Sequence, residues 1–437
     1  MIIFTATISI LAAAIFGIVP AIQAARTDVN SSLNQTRSAQ TFASGRLRKF
    51  LIVSEVATAC VLLVGAAFMM KSLLATMAVD PGFRADHLLT MKFSMPASRY
   101  ANNDQIAAFC RQVLEKVSTT AGVQAASFSD GLPLTRIRLM KFTVEGEPTP
   151  ERGSEPTADM RGIFNSSYFD ALGIRLVAGR NFTDDELQKK APLLIVNQTL
   201  AAKLWPNGDA VGQHLRTIAS KANPEPIVLT VIGVVANTHQ FSIELPTRPE
   251  ITKAMQDFTQ LTLAVRSSQS PQLLIPQLKN EIWAVDKYLP VYEVHTMEEV
   301  VASTTSERRF ESFLMSIFAA IALVLAGVGI YGVLVSLVSQ RTSEIGVRMA
   351  LGAQKGDVLR LIVGEGVRLV AFGVAIGVTG GFVLSRLLAS LFFGVSANSP
   401  LTYLEVGALM IVIALIACYL PAARAARIDP MKALRYE

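Results

Sequence analysis

The sequence predicts a multi-pass α-helical membrane protein of five spans that carries one large α+β extracytoplasmic domain. Three observations lead there. Residues 313–338 run without a charge, about 39 Å as a helix at about 1.5 Å per residue, longer than a hydrocarbon core of about 30 Å. Hydrophobic residues make up 51% of the chain, mean hydropathy is +0.41 and only 17% of residues are charged, too apolar for a soluble enzyme of 437 residues. The basic surplus is also confined. Residues 80–308 hold 23 Lys/Arg against 25 Asp/Glu, whereas 26–49, 339–368 and 422–437, each beside an apolar run, carry five, five and four basic residues. That is the positive-inside distribution, so the pI near 9.2 reports topology and no nucleic-acid partner.

Residues 1–25 carry no charged side chain. A signal peptide competes with a retained helix here, because AIQAA could serve as a small-residue cleavage region. The missing basic leader and an internal repeat favour the span. PAIQAARTD (20–28) matches PAARAARID (421–429), with Leu33 opposite Leu434 at the same offset. The first helix thus reads as the tail of a preceding copy of the module. Residues 26–49 are polar and read as a cytoplasmic linker. A span follows at 50–70, with Glu55 one turn inside its cytoplasmic end, where Arg48 or Lys49 is the expected partner and a functional intramembrane acid the rival reading.

From the turn at Asp80-Pro81-Gly82 to residue 308 the pattern is that of a folded α+β domain. Strand-like runs occur at Leu88–Ser94, Val123–Ser129, Lys141–Glu145, Leu193–Val196, Ile227–Val235, Leu261–Arg266 and Val291–Val294. Helical periodicity occurs at 103–119, 198–204, 272–284 and 297–312. Strand, helix, strand in 88–129 recurs in 261–294, which predicts one subdomain built from 85–130 and 255–305, with 131–250 inserted. The helix at 297–312 is expected to run unbroken into the span at 313–338. Two more spans, 362–386 and 403–420, complete a membrane region over 309–437. Counting crossings puts the three basic segments on one side and the large domain on the other, in agreement with the charges.

Several motifs resolve into packing. Gly327-x-Gly329-x-x-Gly332 lies inside an apolar run, away from any strand-to-helix turn, so a dinucleotide site is not expected. Gly327 and Gly329 instead suit close helix approach, as do Gly373, Gly377 and Gly381 at successive GxxxG spacings. Their partner is either a second module or the same chain, the former favoured. The four histidines are scattered, the three cysteines form no CxxC, and there is no nucleophile elbow or phosphate loop. No catalytic residue, metal site or cofactor is predicted. Between two spans, Thr342 or Ser343 can cap a helix from Glu344, with Glu344–Arg348, Ile345–Met349 and Val347–Leu351 at i, i+4 and Gly352 at its stop. From the pattern alone, docking to a partner and burial in the membrane surface are equal readings.

QRTSEIGVRMALGAQKGDVLRLIVGEGVRL (340–369) and the tail YLPAARAARIDPMKALRYE (419–437) resemble the FtsX-like permease module of MacB-type ABC transporters. YFDALGIRLVAGRNFTDDE (168–186), LWPNGDAVGQHLR (204–216) and VIGVVANTHQ (231–240) resemble the MacB-like periplasmic core domain. The nearest form is the duplicated orphan permease of acidobacteria, of which this chain would be the C-terminal part. The resemblance implies a bacterial inner-membrane permease subunit that passes ATP-driven movement to its extracytoplasmic domain, for export of small molecules or peptides or for lipoprotein handling. A non-transporting regulator of cell-wall hydrolases, or a membrane sensor, is the alternative. It further implies a cytosolic ABC ATPase as partner, a second permease module in a homodimer or pseudo-dimer, a periplasmic adaptor protein and membrane lipid. ATPase coupling falls on Arg341, Glu344, Ile345, Arg348, Met349, Leu351, Gly352 and Ala353.

Overall fold

The computed structural model of the chain describes residues 37–425 apart from 97, 136–137, 147, 149, 152, 219–224, 257, 259, 341–344, 346, 350, 352–353, 390–391 and 397, and only the backbone of 37–48, 340, 355 and 425. The chain divides into two compact units. One comprises residues up to Phe68, Met315–Ala389 and those from Ser396 onward; the other is Met69–Leu314 with residues 390–395.

The elements run α1 (Arg37–Met77), β1 (Leu88–Phe93), α2 (Asn103–Ser118), β2 (Val123–Ser129), β3 (Arg138–Val144), β4 (Thr157–Ile163), α3 (Tyr168–Leu172), β5 (Leu176–Gly179), α4 (Asp184–Gln188), β6 (Leu193–Asn197), α5 (Gln198–Leu204), β7 (His214–Thr217), β8 (Val228–Val235), β9 (Glu250–Ala254), β10 (Leu261–Ser267), α6 (Pro271–Val285), β11 (Val291–Thr296), α7 (Met297–Thr304), α8 (Ser306–Gln340), α9 (Lys355–Leu387) and α10 (Pro400–Ala425). Four helices among the described residues are long and apolar enough to cross a membrane: Lys49–Met77, Ser306–Ser339, Gly356–Leu387 and Pro400–Arg424. The first of the five predicted spans, 1–25, lies outside the described residues. Helix α1 starts thirteen residues before the predicted span, at Arg37, because 37–49 includes three Arg, two Ala, Leu and Lys and holds no proline to stop a helix.

In the β-rich unit, β11, β1, β10 and β2 form an antiparallel sheet in that order. With α2 and α6 as the crossovers, this is a split β-α-β arrangement. Helix α2 forms because Asn102 caps it, its Oδ1 accepting from Gln105 N at 3.0 Å, and because Ile106, Phe109, Cys110, Val113 and Val117 make one buried stripe. That stripe packs with Phe93, Phe128, Leu263, Leu278 and Ile282. Six of the remaining seven strands close on themselves: β4 pairs β3, then β7, β8, β6, β9 and back to β4, while β5 pairs β8 beside them. Ring closure leaves no edge among these six strands. Its interior holds Phe142, Leu194, Leu215, Val231 and Ile251. A single residue pair, Ser129 with Ile163, joins the sheet to the ring.

Beside that junction lies a buried ion pair. Arg161 on β4 is 1% exposed and donates Nε to Glu250 Oε1 at 2.9 Å. Glu250 also accepts from Thr238 Oγ1 (3.2 Å) and Gln240 Nε2 (2.8 Å). The loop 236–249 is thereby tied to the ring. It is tied again at Gly82, whose φ of 82° and closeness to Asn237 O (1.9 Å from where a Cβ would stand) admit no side chain.

In the helical unit, Val56, Ala326, Ile330, Leu334, Met410, Ala414 and Cys418 form a common core. Tyr403 on α10 packs edge-on against Phe68 and Phe382 and shares a 2.7 Å hydrogen bond with Ser385.

Candidate coupling site

Between α8 and α9 the chain returns through Ile345, Val347, Arg348 and Met349, all helical. Ile345 is 4% exposed and, with Met349, joins Leu334, Val358 and Ile362 in the helical core. Val347 and Leu351 take the opposite role: they are 43% and 83% exposed. One face of the short segment is thus an anchor, and the other presents two unburied apolar side chains. Helix α9 then begins on a box in which Gln354 N–H donates to Asp357 Oδ2 at 3.0 Å. Arg348 lines a small cleft with Leu334, Leu361 and Glu365. Of the eight predicted coupling residues, Ile345, Arg348, Met349 and Leu351 come together here; Arg341, Glu344, Gly352 and Ala353 lie outside the described residues.

The glycines sort by what an added methyl would meet. Beside Gly373 it would stand 2.7 Å from Val56 Cγ1, beside Gly377 2.5 Å from Cys60 Cβ, and beside Gly381 3.2 Å from Val64. All three contacts are to α1 of the same chain, so the expected second module is not what this face packs on. Gly329 lies against the Glu55 carboxylate, while Gly327 has only ordinary contact with Ile413. Of the two partners expected for Glu55, Lys49 is taken by Glu365 Oε1 at 2.8 Å, and the side chain of Arg48 lies outside the described residues. Residues six apart on a helix face away from each other, whereas Glu365 approaches from α9.

At the base of the β-rich unit, sequence reasoning missed a cluster. Arg308, on the first turn of α8, grips Glu244 with two bonds, Nε to Oε1 at 2.5 Å and Nη2 to Oε2 at 2.6 Å. Its Nη1 donates to Ser72 Oγ at 3.0 Å, and Thr76 Oγ1 donates to Glu244 Oε1 at 3.3 Å. Ser72 and Thr76 are fully buried. Two helices and the 236–249 loop therefore meet in one charged knot. Only an arginine at the head of an apolar span and a lone acid in a loop of weak pattern hinted at it. The helix predicted over 297–312 is interrupted at Thr305, whose φ is −104°. Ser303, Thr304, Thr305 and Ser306 each turn a hydroxyl back to the carbonyl three residues earlier, at 2.7, 2.7, 3.1 and 2.8 Å, competing with the helical ladder. Among the described residues no group of three or more His, Cys, Asp or Glu side chains is placed to hold a metal.

Residues 1–281 match the MacB-like periplasmic core domain and residues 316–430 the FtsX-like permease C-terminal domain. Similar proteins include the macrolide export ATP-binding/permease protein MacB of Chromobacterium violaceum, 29% identical over 306 residues, covering 68% of this chain and 46% of that protein. An uncharacterized ABC transporter permease of Bacillus subtilis, YknZ, is 24% identical over 388 residues, covering 86% of this chain and 94% of the relative. The periplasmic region of MacB from Actinobacillus actinomycetemcomitans aligns at a TM-score of 0.34 and 14% identity, covering 51% of this chain and 94% of that one. The chain spans about half the length of the MacB proteins it matches. With the domain model covering residues 1–281 and the permease model most of the remainder, the chain belongs to the MacB/FtsX-type family of ABC transporter permeases.

Proposed function

We propose that this chain is the permease subunit of an ABC-type transporter, in which ATP hydrolysis by a separate cytosolic subunit drives movement of the extracytoplasmic domain. On this reading the protein sits in a bacterial inner membrane with residues 80–308 outside, divided into a porter-like part (85–130 and 255–305) and an inserted part (131–250). The load is a small molecule, a peptide or a lipoprotein, and a second permease module and a periplasmic adaptor complete the assembly. The observation that carries the reading is the division of the segment between α8 and α9. Ile345 and Met349 are held in the core, while Val347 and Leu351 stay exposed. A pair of outward apolar side chains on a short helix rooted in the spans is what docking into a partner's groove requires. The root matters as much as the tip, since Ile345 and Met349 of the same segment pack with Leu334 and Ile362.

Co-purification with a cytosolic ABC ATPase tests it. Val347→Asp and Leu351→Asp alter exposed positions, so folding should survive while ATPase recovery falls about tenfold or more, as for truncation of an interface anchor. Normal ATPase recovery with the double variant would remove this segment from the coupling role.

A further inference from the structure

At the α1–α9 seam, near the ends that carry Lys49 and Lys355, lies an open cleft of about 670 Å³, within the size range of small-ligand sites. We propose that it seats the headgroup of an anionic phospholipid from the leaflet on that side. Arg360, Gly364, Arg368 and Phe372 line it at successive four-residue steps along α9, which places them on one helical face. Both arginines are exposed, and neither has a hydrogen-bond or ion-pair partner among the described residues. The other charges of the cleft are already committed: Lys49 to Glu365, and Asp357 to the backbone of Gln354. With Asp357 still anionic, the cleft keeps a net charge of about +1, and its two guanidinium groups suit a phosphate through paired N–H donors.

The depth of the cleft selects a lipid. Residues 369–385 carry no charge, so Arg368 stands where α9 leaves the hydrocarbon. Arg360 lies about 12 Å farther along the axis, at headgroup level. On the other side of Arg368, Leu369 and Phe372 continue the lining, and Phe372 is 67% exposed. A ligand filling this groove is anionic at one end and apolar at the other. Gly364 keeps the middle open, since nothing lies within 4 Å of a side chain added there. The predicted topology puts this end of α9 in the cytoplasmic leaflet, where anionic lipid is met by basic side chains.

The test is native mass spectrometry of the whole chain in detergent, with phosphatidylglycerol and phosphatidylcholine as probes and glycerol 3-phosphate as competitor. Phosphatidylglycerol should be retained over phosphatidylcholine. Each cation near an anionic group contributes a factor of about five, so Arg360→Gln with Arg368→Gln should reduce that preference about 25-fold, and Arg368→Lys should keep most of it. Gly364→Leu, which fills the cleft without changing a charge, should reduce retention while the helical circular dichroism stays the same. Equal retention of the two lipids, or an undiminished preference in the double glutamine variant, overturns the proposal. Displacement by glycerol 3-phosphate also overturns it, in favour of a soluble phosphate.

Discussion

Gly377→Ala is expected to destabilise the helical unit although alanine is the better helix former. In an unobstructed helix the exchange gains roughly 1 kcal/mol. At 377 the new methyl would stand 2.5 Å from Cys60 Cβ, 2.7 Å from Ala57 O and 3.0 Å from Ala57 Cα. Two of those three atoms are backbone, so no rotamer change relieves the clash and α1 has to move as a body. Overpacking of this kind costs about 1–3 kcal/mol. Gly332 supplies the matched control, because nothing lies within 4 Å of its added methyl and it too sits in a span. The two alanine variants share the propensity gain, so their difference isolates the packing cost, about 1–3 kcal/mol or roughly a 5- to 150-fold change in the folded-to-unfolded ratio. Along the seam the order of damage should be Gly377, then Gly373, where the nearest atom is a Val56 methyl at 2.7 Å, then Gly381 at 3.2 Å. Denaturant unfolding in detergent, read by energy transfer between labels on α1 and α9, provides the ranking. Should Gly377→Ala and Gly332→Ala unfold alike, α1 does not approach α9 here, and the glycine face is open to a second copy after all.

The remaining expectations concern the β-rich unit. Arg308→Ala or Glu244→Gln should lower its thermal stability by about 1–3 kcal/mol, the range for a hydrogen-bonded charged group left with a missing partner; the exchange Arg308→Glu with Glu244→Arg should recover part of it, and no loss in either single variant would reduce the knot to a surface contact. Glu186 takes two bonds from Arg180, at 2.6 and 2.8 Å, and this pairing holds its carboxyl down to about 2 against the usual 4.5. A depressed carboxyl favours the folded state above 4.5, and the benefit is lost as pH falls toward 2; carbon-detected NMR titration should place the midpoint there, and a midpoint near 4.5 would mean the pair is not formed in solution.

Where burial follows a local rule, the sequence is readable. The alternating or β-branched runs at 88–94, 123–129, 261–266 and 291–294 are the four strands of the antiparallel sheet, and the stripe over 103–119 is α2. The ring is harder, for a reason visible in β4. Its run TADMRGI places Asp159 and Arg161 at buried positions, 1% exposed each, and charges inside a strand erase the alternation by which strands are recognised. Their ion-pair partners are Arg248, 3.3 Å from Asp159, and Glu250, 2.9 Å from Arg161, about ninety residues away, where no local window contains them. β9 carries Glu250 and escapes notice for the same reason. Lys49 is the helical counterpart: proximity in sequence offered it, beside Arg48, to Glu55, and the fold pairs it with Glu365 from another span.

The interruption at Thr305 bears on how motion would enter α8 on the proposed reading. Four consecutive side-chain hydroxyls bonded to carbonyls offer the backbone an alternative to the helical ladder, which lowers the cost of bending there. Three residues later Arg308 is fixed by both oxygens of Glu244 and by Ser72. A yielding joint followed at once by a clamp has a directional consequence. Strain arriving along α7 can be absorbed at Thr305, whereas strain carried through the 236–249 loop would reach α8 directly, because Glu244 and Arg308 are bonded and the loop is tied to the ring at Gln240 and Thr238. On the proposed reading, the firmer connection to α8 would therefore run from the closed ring of six strands, and the antiparallel sheet, which leads into α7 through β11, would be coupled through the softer one.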